Sequence, residues 1–209
     1  VDGGRDPLTL IEGLRRHHVG RVDLLVATHG DADHVGGFDG IVGDRSIGRL
    51  WVPDHADPGP ELDRLVIAAT AAGVPIDRVK PGFSYTMGGV VVEVVGPRRR
   101  YAERTDGSVV LWVRADTTVL LPGDIGSVAQ RELPDLHPDI LLVPHHGSST
   151  SDLGWLAATV GAVAVISVGT NTYGHPAPEI QAVLAESGAD VRVTKDVGDV
   201  SIGLGESRP

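Results

Sequence analysis

Four apolar runs in this chain end the same way. "VDLLVA" opens into "THGDADHVGG", "TTVLL" into "PGD", "DILLV" into "PHHGSSTS", and "AVAVIS" into "VGTNTYGHP". Each run is short and rich in Val, Ile and Leu, as expected of a strand buried on both faces. Each then releases the chain into a loop carrying His, Asp, Asn or Tyr. Polar loops at the ends of buried strands are where binding and catalytic groups commonly lie. This repeated ending restricts the chain to a layered α/β design with its chemistry at strand termini.

The rest of the chain fits that frame. "DPLTLIEGLRRHHVG" predicts a helix with Leu8, Ile11 and Leu14 on its apolar face, Asp6 as its cap and Gly20 as its stop. "RLWVP" reads as a strand, "DHADPGP" as a linker, and "ELDRLVIAATAAG" as a helix ending at Gly73. "VVVEVVGP" and "SVVLWVRA" read as strands, as does "VRVTKDVGDVSIGL" near the end. Helices are predicted at "VAQREL", "DLGWLAATV" and "PEIQAVLAES". Some neighbouring strands are thus joined by helices and others by hairpins, which implies mixed sheets.

With 209 residues, 41% of them hydrophobic, the chain can bury a substantial core. It has no cysteine, which excludes disulfides, zinc ribbons and thiol catalysis. Any metal must be held by His, Asp or Glu. A net charge of −10 argues against broad attraction to nucleic acid or an anionic membrane. Bound divalent cations would reverse that sign locally. "WLAATVGAVAVISVG" is too short and glycine-rich for a membrane span. No signal peptide is visible, and a start at Val1 without Met suggests a piece of a longer protein. There is no G-x-S-x-G elbow, phosphate loop or dinucleotide fingerprint.

The first polar cluster is the densest, with His29, Asp31, Asp33 and His34 inside six residues. The strand before it and Gly36-Gly37 after it favour a loop. In extended geometry, residues 29, 31 and 33 would point to one side, with His34 swinging in from the turn. Asp124 follows a second strand, where a carboxylate can bridge two cations. His145 and His146 end a third. Ser148 to Asp152 offer a helix cap whose amides could hold a phosphate. Asn171, Tyr173 and His175 follow a fourth. The remaining histidines read as ordinary: His17 and His18 at a helix end, His55 and His137 in proline-containing loops. "RRRYAER" gathers Arg98, Arg99, Arg100 and Arg104, either a solvated loop or a contact to DNA.

In order and spacing, "THGDADHVGG", "LLPGDI", "LLVPHHGSSTS" and "VGTNTYGHP" resemble the metallo-β-lactamase superfamily across nearly the whole chain. More narrowly, they resemble the C-terminal domain of the ComEC family of bacterial DNA-uptake channels. The resemblance implies one domain over residues 1–209 with an α/β, metallo-β-lactamase-like αββα sandwich. The family's Gly-rich strand pair upstream of "VDGG" is missing, so one sheet is expected to lack its first strands. It further implies a metal-dependent phosphodiesterase that degrades the DNA strand not imported during natural competence. DNA and the rest of a membrane channel protein are the implied partners, with this soluble domain on the extracytoplasmic side.

Carried over by residue, His29 and Asp31 would bind one divalent metal ion. Asp33, His34 and His146 would bind a second, Asp124 would bridge, and Asp2 would support the metal loop. His146 is preferred over its neighbour His145 as the ligand. His146, His175 and Asp33 are the catalytic candidates. His145, Ser148, Asn171 and Tyr173 would lie around the ligands or the substrate. The chain departs from the superfamily in having Asp31 where a histidine is usual, and no histidine between residues 56 and 136. Thr105 stands where the uptake family usually has Asn. An oxygen-rich first site favours Mn²⁺, with Zn²⁺ and Mg²⁺ as alternatives. Two other readings stay open: a weakly catalytic DNA-guiding or regulatory module of the channel, and a small-molecule phosphodiesterase.

Overall fold

The computed structural model describes residues 1–54 and 59–203. The chain divides into two compact units, one of Val1–Lys80 with Gly107–Val109, the other of Pro81–Asp106 with the chain from Val110 on. His55 and most of the linker read at "DHADPGP" lie outside the described residues.

The first unit opens with α1 (Pro7–Arg16). Asp6 caps it by accepting from the amides of Leu8 and Thr9, and Pro7 supplies the preset first residue. Ile11 and Leu14 of the predicted face pack as expected, but Leu10 takes the place of Leu8. Leu10, Ile11 and Leu14 lie against the core, while Leu8 is 68% exposed. Spacing alone admitted either stripe, and contact with the 3₁₀ turn at Gly36–Gly40 selects the one observed.

"VDLLVA" forms β1 (Arg21–Val22) and β2 (Leu25–Val26) rather than one strand. Next come α2 (Ala32–Val35), β3 (Ser46–Ile47), β4 (Leu50–Pro53), α3 (Gly59–Ala71) and β5 (Ile76–Val79). β1 pairs with β3, and β2-β4-β5 form a three-stranded sheet, all parallel. Arg21 pairs with Ser46 and Leu25 with Leu50, so one register runs through both pairs and is interrupted in the middle. The interruption falls opposite Gly48, where an added Cβ would sit 2.6 Å from the Asp23 carbonyl. Every residue of β4 is buried, as a central parallel strand requires. Leu25, Ala27, Phe38, Ile41, Leu50, Leu62 and Leu65 form the core. The sequence reading missed β5, whose "IDRV" has few apolar residues and pairs through its backbone.

The second unit holds one seven-stranded sheet. Its elements are β6 (Ser84–Met87), β7 (Val90–Gly96), β8 (Val110–Arg114), β9 (Thr118–Leu121), α4 (Ser127–Gln130) and β10 (Ile140–Leu142). α5 (Leu153–Thr159), β11 (Val163–Ile166), α6 (Pro178–Glu186), β12 (Asp190–Val193) and α7 (Thr194–Val197) follow. The strand order is β12-β11-β10-β9-β8-β7-β6. From β9 to β12 the pairs are parallel, and from β6 to β9 antiparallel. This is the expected mixed sheet, although β6 was not foreseen. The final run is a strand only to Val193, after which Thr194 starts a helical turn. Thr194 Oγ1 accepts from the Val168 amide, tying that turn to the end of β11.

Parallel pairing has a functional consequence. β9, β10 and β11 all run the same way, so the loops after them emerge from one edge of the sheet. Those loops carry Asp124, His145 with His146, and Asn171 to His175. Buried Gln130 braces the edge, donating to the Ile125 carbonyl and accepting from the Asp152 amide.

Candidate metal centre

In the first unit, β2 delivers Thr28 and His29 into the interior, both fully buried. The chain bends at His29 and Gly30, and Asp31 is extended immediately before α2 begins. Of residues 29, 31 and 33, expected in extended geometry, only Asp31 is extended. Asp33 and His34 belong to a helical turn that begins four residues before Gly36, with Asp33 exposed and His34 buried. His29 Nε2 lies 3.5 Å from Asp31 Oδ2, and the His29 and His34 ring centroids are 4.1 Å apart. The donor atoms of Asp33 and His34 lie within 4.8 Å of each other.

Asp2 organises this group. One carboxylate oxygen accepts from the Thr28 amide at 2.9 Å. The other accepts from the Thr28 hydroxyl at 2.8 Å and is 2.8 Å from His34 Nδ1. An Nδ1–H held by a carboxylate leaves Nε2 as the lone-pair nitrogen, the state a metal ligand requires. His29 Nδ1 is likewise occupied, 3.0 Å from Thr28 Oγ1 and 3.3 Å from Ser108 Oγ. Its Nε2 is buried and has no hydrogen-bond partner among the described residues. A buried ring nitrogen is rarely left orphaned without a reason. A divalent cation is the partner whose chemistry fits a bare imidazole nitrogen beside a carboxylate.

In the second unit, Asp124 follows β9 and is buried. His145 and His146 follow β10, and both take left-handed backbone conformations, with φ of 51° and 56°. For residues other than glycine this costs on the order of 1 kcal/mol each. The turn has a purpose, because successive side chains on an extended strand point to opposite faces. Here both rings reach the same carboxylate, each Nε2 lying 3.7 Å from Asp124 Oδ2. His146 Nδ1 is 2.7 Å from the Ser167 carbonyl. That contact requires Nδ1–H and leaves Nε2 bare in the neutral ring. Nδ1 of His145 is only 3.5 Å from Thr150 Oγ1. Of the two, His146 has the ring more firmly oriented for a ligand role.

His175 packs its ring 5.8 Å from that of His145 and stacks on Tyr173, which is 79% exposed. Burial lowers its pKa, as does nearby His146, against the opposing pull of Asp124. Asn171 accepts from the amides of Tyr173 and His175 and donates to the carbonyls of Gly169 and His175. It therefore shapes the loop. Ser148 is buried, with Oγ accepting from Thr150. The cap predicted around Ser148–Asp152 forms, but Asp152 itself fills the start of α5 by accepting from the Trp155 amide. With its own carboxylate there, that helix start is not a phosphate site.

The arginine segment also differs from its expected uniformity. Arg99 makes a bidentate pair with Glu132 and lies 4.4 Å over the Tyr101 ring. Tyr101 donates to the same glutamate, and burial with that bond pushes its pKa up to about 12. Arg99 is thus a structural cation although, like Arg98, Arg100 and Arg104, it is exposed. Thr28, Ser108 and Ser167 escaped the sequence reading. Thr28 directly precedes His29 in the motif, which was a usable signal. Ser108 and Ser167 carried none.

Comparison with known proteins agrees with this architecture. Residues 1–167 match the family model of the metallo-β-lactamase superfamily. The chain is 28% identical over 200 residues to ComE operon protein 3 of Bacillus subtilis (strain 168), covering 91% of this chain and 26% of that protein. It is 26% identical over 205 residues to competence protein ComA of Neisseria gonorrhoeae, covering 94% of this chain and 27% of that protein. It thus spans about a quarter of the length of these relatives. Among solved structures, the metallo-β-lactamase fold protein YhfI of Bacillus subtilis aligns with a TM-score of 0.56 at 11% identity, over 92% of this chain and 81% of that one. A diphosphatase of the PhnP family aligns at 0.50 and 15% identity, over 93% and 67%. The chain has the metallo-β-lactamase fold and belongs to the metallo-β-lactamase superfamily.

Proposed function

We propose that this chain is a metal-dependent phosphodiesterase that cleaves DNA, degrading the strand left outside the cell during uptake. The observation that carries the metal dependence is the orphaned Nε2 of fully buried His29. The DNA assignment rests on the relatives, one of which is named a competence protein. His29, Asp31, Asp33 and His34 of the first unit and Asp124 and His146 of the second would hold two divalent ions, the whole chain acting as one domain. Such ions supply Lewis-acid polarisation of a phosphoryl oxygen and lower the pKa of water.

The protein's own residues do the rest. Asp2 and the Ser167 carbonyl hold the Nδ1 protons of His34 and His146, keeping their Nε2 atoms free for coordination. Asp124 would supply a carboxylate to the ions. His175, whose charged form burial disfavours, would exchange a proton with the leaving oxygen. Tyr173 offers an exposed ring on which a nucleobase can stack. Arg98, Arg100 and Arg104 would contact the polymer backbone. The carboxylate-rich donor set favours Mn²⁺ over Zn²⁺. We place the domain on the extracytoplasmic side of a membrane channel protein. Among the described residues, no helix is long and apolar enough to cross a membrane.

The deciding experiment incubates the purified chain with single- and double-stranded DNA across Mn²⁺, Mg²⁺ and Zn²⁺. Metal-dependent cleavage, strongest with Mn²⁺, is expected. DNA binding without cleavage under any metal would favour a DNA-guiding module. Cleavage of small phosphodiesters alone would favour a small-molecule enzyme.

A further inference from the structure

We propose that Thr28 is a tautomer clamp for His29, so that the single carboxylate of Asp2 sets the protonation pattern of both buried histidines in the first unit. The inference rests on the reading of His29 as a metal ligand. A threonine hydroxyl has one proton to give and two lone pairs with which to accept. The ionised Asp2 carboxylate can only accept, so the 2.8 Å contact from Thr28 Oγ1 to Asp2 Oδ2 takes the hydroxyl proton. Thr28 Oγ1 also lies 3.0 Å from His29 Nδ1. With its proton already placed on Asp2, Thr28 can face that nitrogen only as an acceptor. His29 must therefore carry its proton on Nδ1 and leave Nε2 bare.

The opposite tautomer is disfavoured at both ends of the ring. It would set a nitrogen lone pair against the Thr28 oxygen with no proton between them. It would also bury an N–H at Nε2, whose nearest carboxylate oxygen, on Asp31, is 3.5 Å away. An N–H···O bond prefers about 2.9–3.0 Å. Ser108, at 3.3 Å, is the longer contact and can serve as a second acceptor for the same proton. His34 receives the same instruction directly, its Nδ1 lying 2.8 Å from the same Asp2 oxygen. The two rings are therefore prepared for coordination before any ion arrives. The sequence places the clamp beside its target, as Thr28-His29, and its anchor 26 residues away.

Long-range ¹H–¹⁵N spectra of the full 209-residue chain, stripped of metal at about pH 8 where an ordinary imidazole is neutral, read the tautomer directly. Wild type is expected to show His29 protonated at Nδ1. Thr28→Val keeps the side-chain shape but removes the acceptor. It should mix the tautomers and weaken Mn²⁺ binding, measured by calorimetric titration, by about tenfold or more. Thr28→Ser should restore both readouts. Ser108→Ala should leave the tautomer as in wild type. Should Thr28→Val fail to fold, the wild-type spectrum decides. A wild type that binds Mn²⁺ or Zn²⁺ yet carries the His29 proton on Nε2 overturns the clamp alone. So does a folded Thr28→Val chain with an unchanged tautomer and Mn²⁺ affinity. A wild type that binds neither ion overturns the function proposed above instead.

Discussion

The two units orient their histidines by different means. In the first, side chains do the work: Asp2 holds His34, and Thr28 with Ser108 holds His29. In the second, the backbone does it: left-handed turns aim His145 and His146, and the Ser167 carbonyl fixes the His146 ring. Side-chain support can be removed by one substitution without disturbing the fold. Backbone support is insensitive to the side chain that carries it, and fails only when the chain path itself is changed. Perturbing each kind of support separately tests this contrast.

The largest effects should come from the proposed ligands themselves. His34→Ala in the first unit and Asp124→Ala in the second should each reduce metal-dependent DNA cleavage by roughly a thousandfold or more, given what bound metal contributes to hydrolysis. Far-ultraviolet circular dichroism should remain that of wild type. Full activity in either variant would remove that unit from the catalytic machinery.

Gly147→Ala attacks the backbone support. Gly147 has φ of 78°, and an added Cβ would lie 2.7 Å from Cβ of Pro176. Strain and overpacking together should cost roughly 3 kcal/mol, read as a lowered denaturant midpoint. Mn²⁺ binding should weaken as well, because the same turn aims both histidines. Unchanged stability would show that the turn can relax.

Asp2→Ala attacks the side-chain support. Metal affinity should fall by roughly 10–100-fold, as for other groups that orient metal-bound histidines. Ser167→Ala is its counterpart in the second unit. It should change affinity by less than about twofold, since the carbonyl that holds His146 remains whatever the side chain. A large effect of Ser167→Ala would erase the distinction between the two units.

Smaller effects are expected in the arginine segment. Replacing Arg98 and Arg100 together should weaken DNA binding several-fold. For duplex DNA it should reduce the salt slope by about 2, one counterion per lost phosphate contact. Arg99→Ala should instead lower thermal stability by breaking its pair with Glu132, leaving the salt slope alone. Equal salt slopes for all these variants would mean that the segment does not follow the polymer.

Much of the candidate site was legible because strand ends are local features. An apolar run followed by Gly and His or Asp marks both the burial of a strand and the loop that leaves it. That pattern located His29, Asp124, His145 and His175 and the mixed sheet that carries three of them. Elements with weak patterns escaped, such as β5 in "IDRV". Leu8 misled because a helix offers several overlapping stripes, and only the surface it packs on selects among them.

The amino-acid order by itself determined which ligand chemistry was available: no thiol, several imidazoles, and carboxylates beside them at strand ends. Those are properties of residue type and short-range periodicity. The tertiary structure alone decided how the candidate ligands are aimed. Ser108 reaches His29 across 79 residues, Asp2 reaches His34 across 32, and Glu132 takes Arg99 out of the basic patch across 33. The left-handed pair at His145 and His146 is set by the path between β10 and α5. Hydrogen-bond partners distant in sequence leave no trace in local periodicity. They exist only once burial of the apolar strands has brought those segments together.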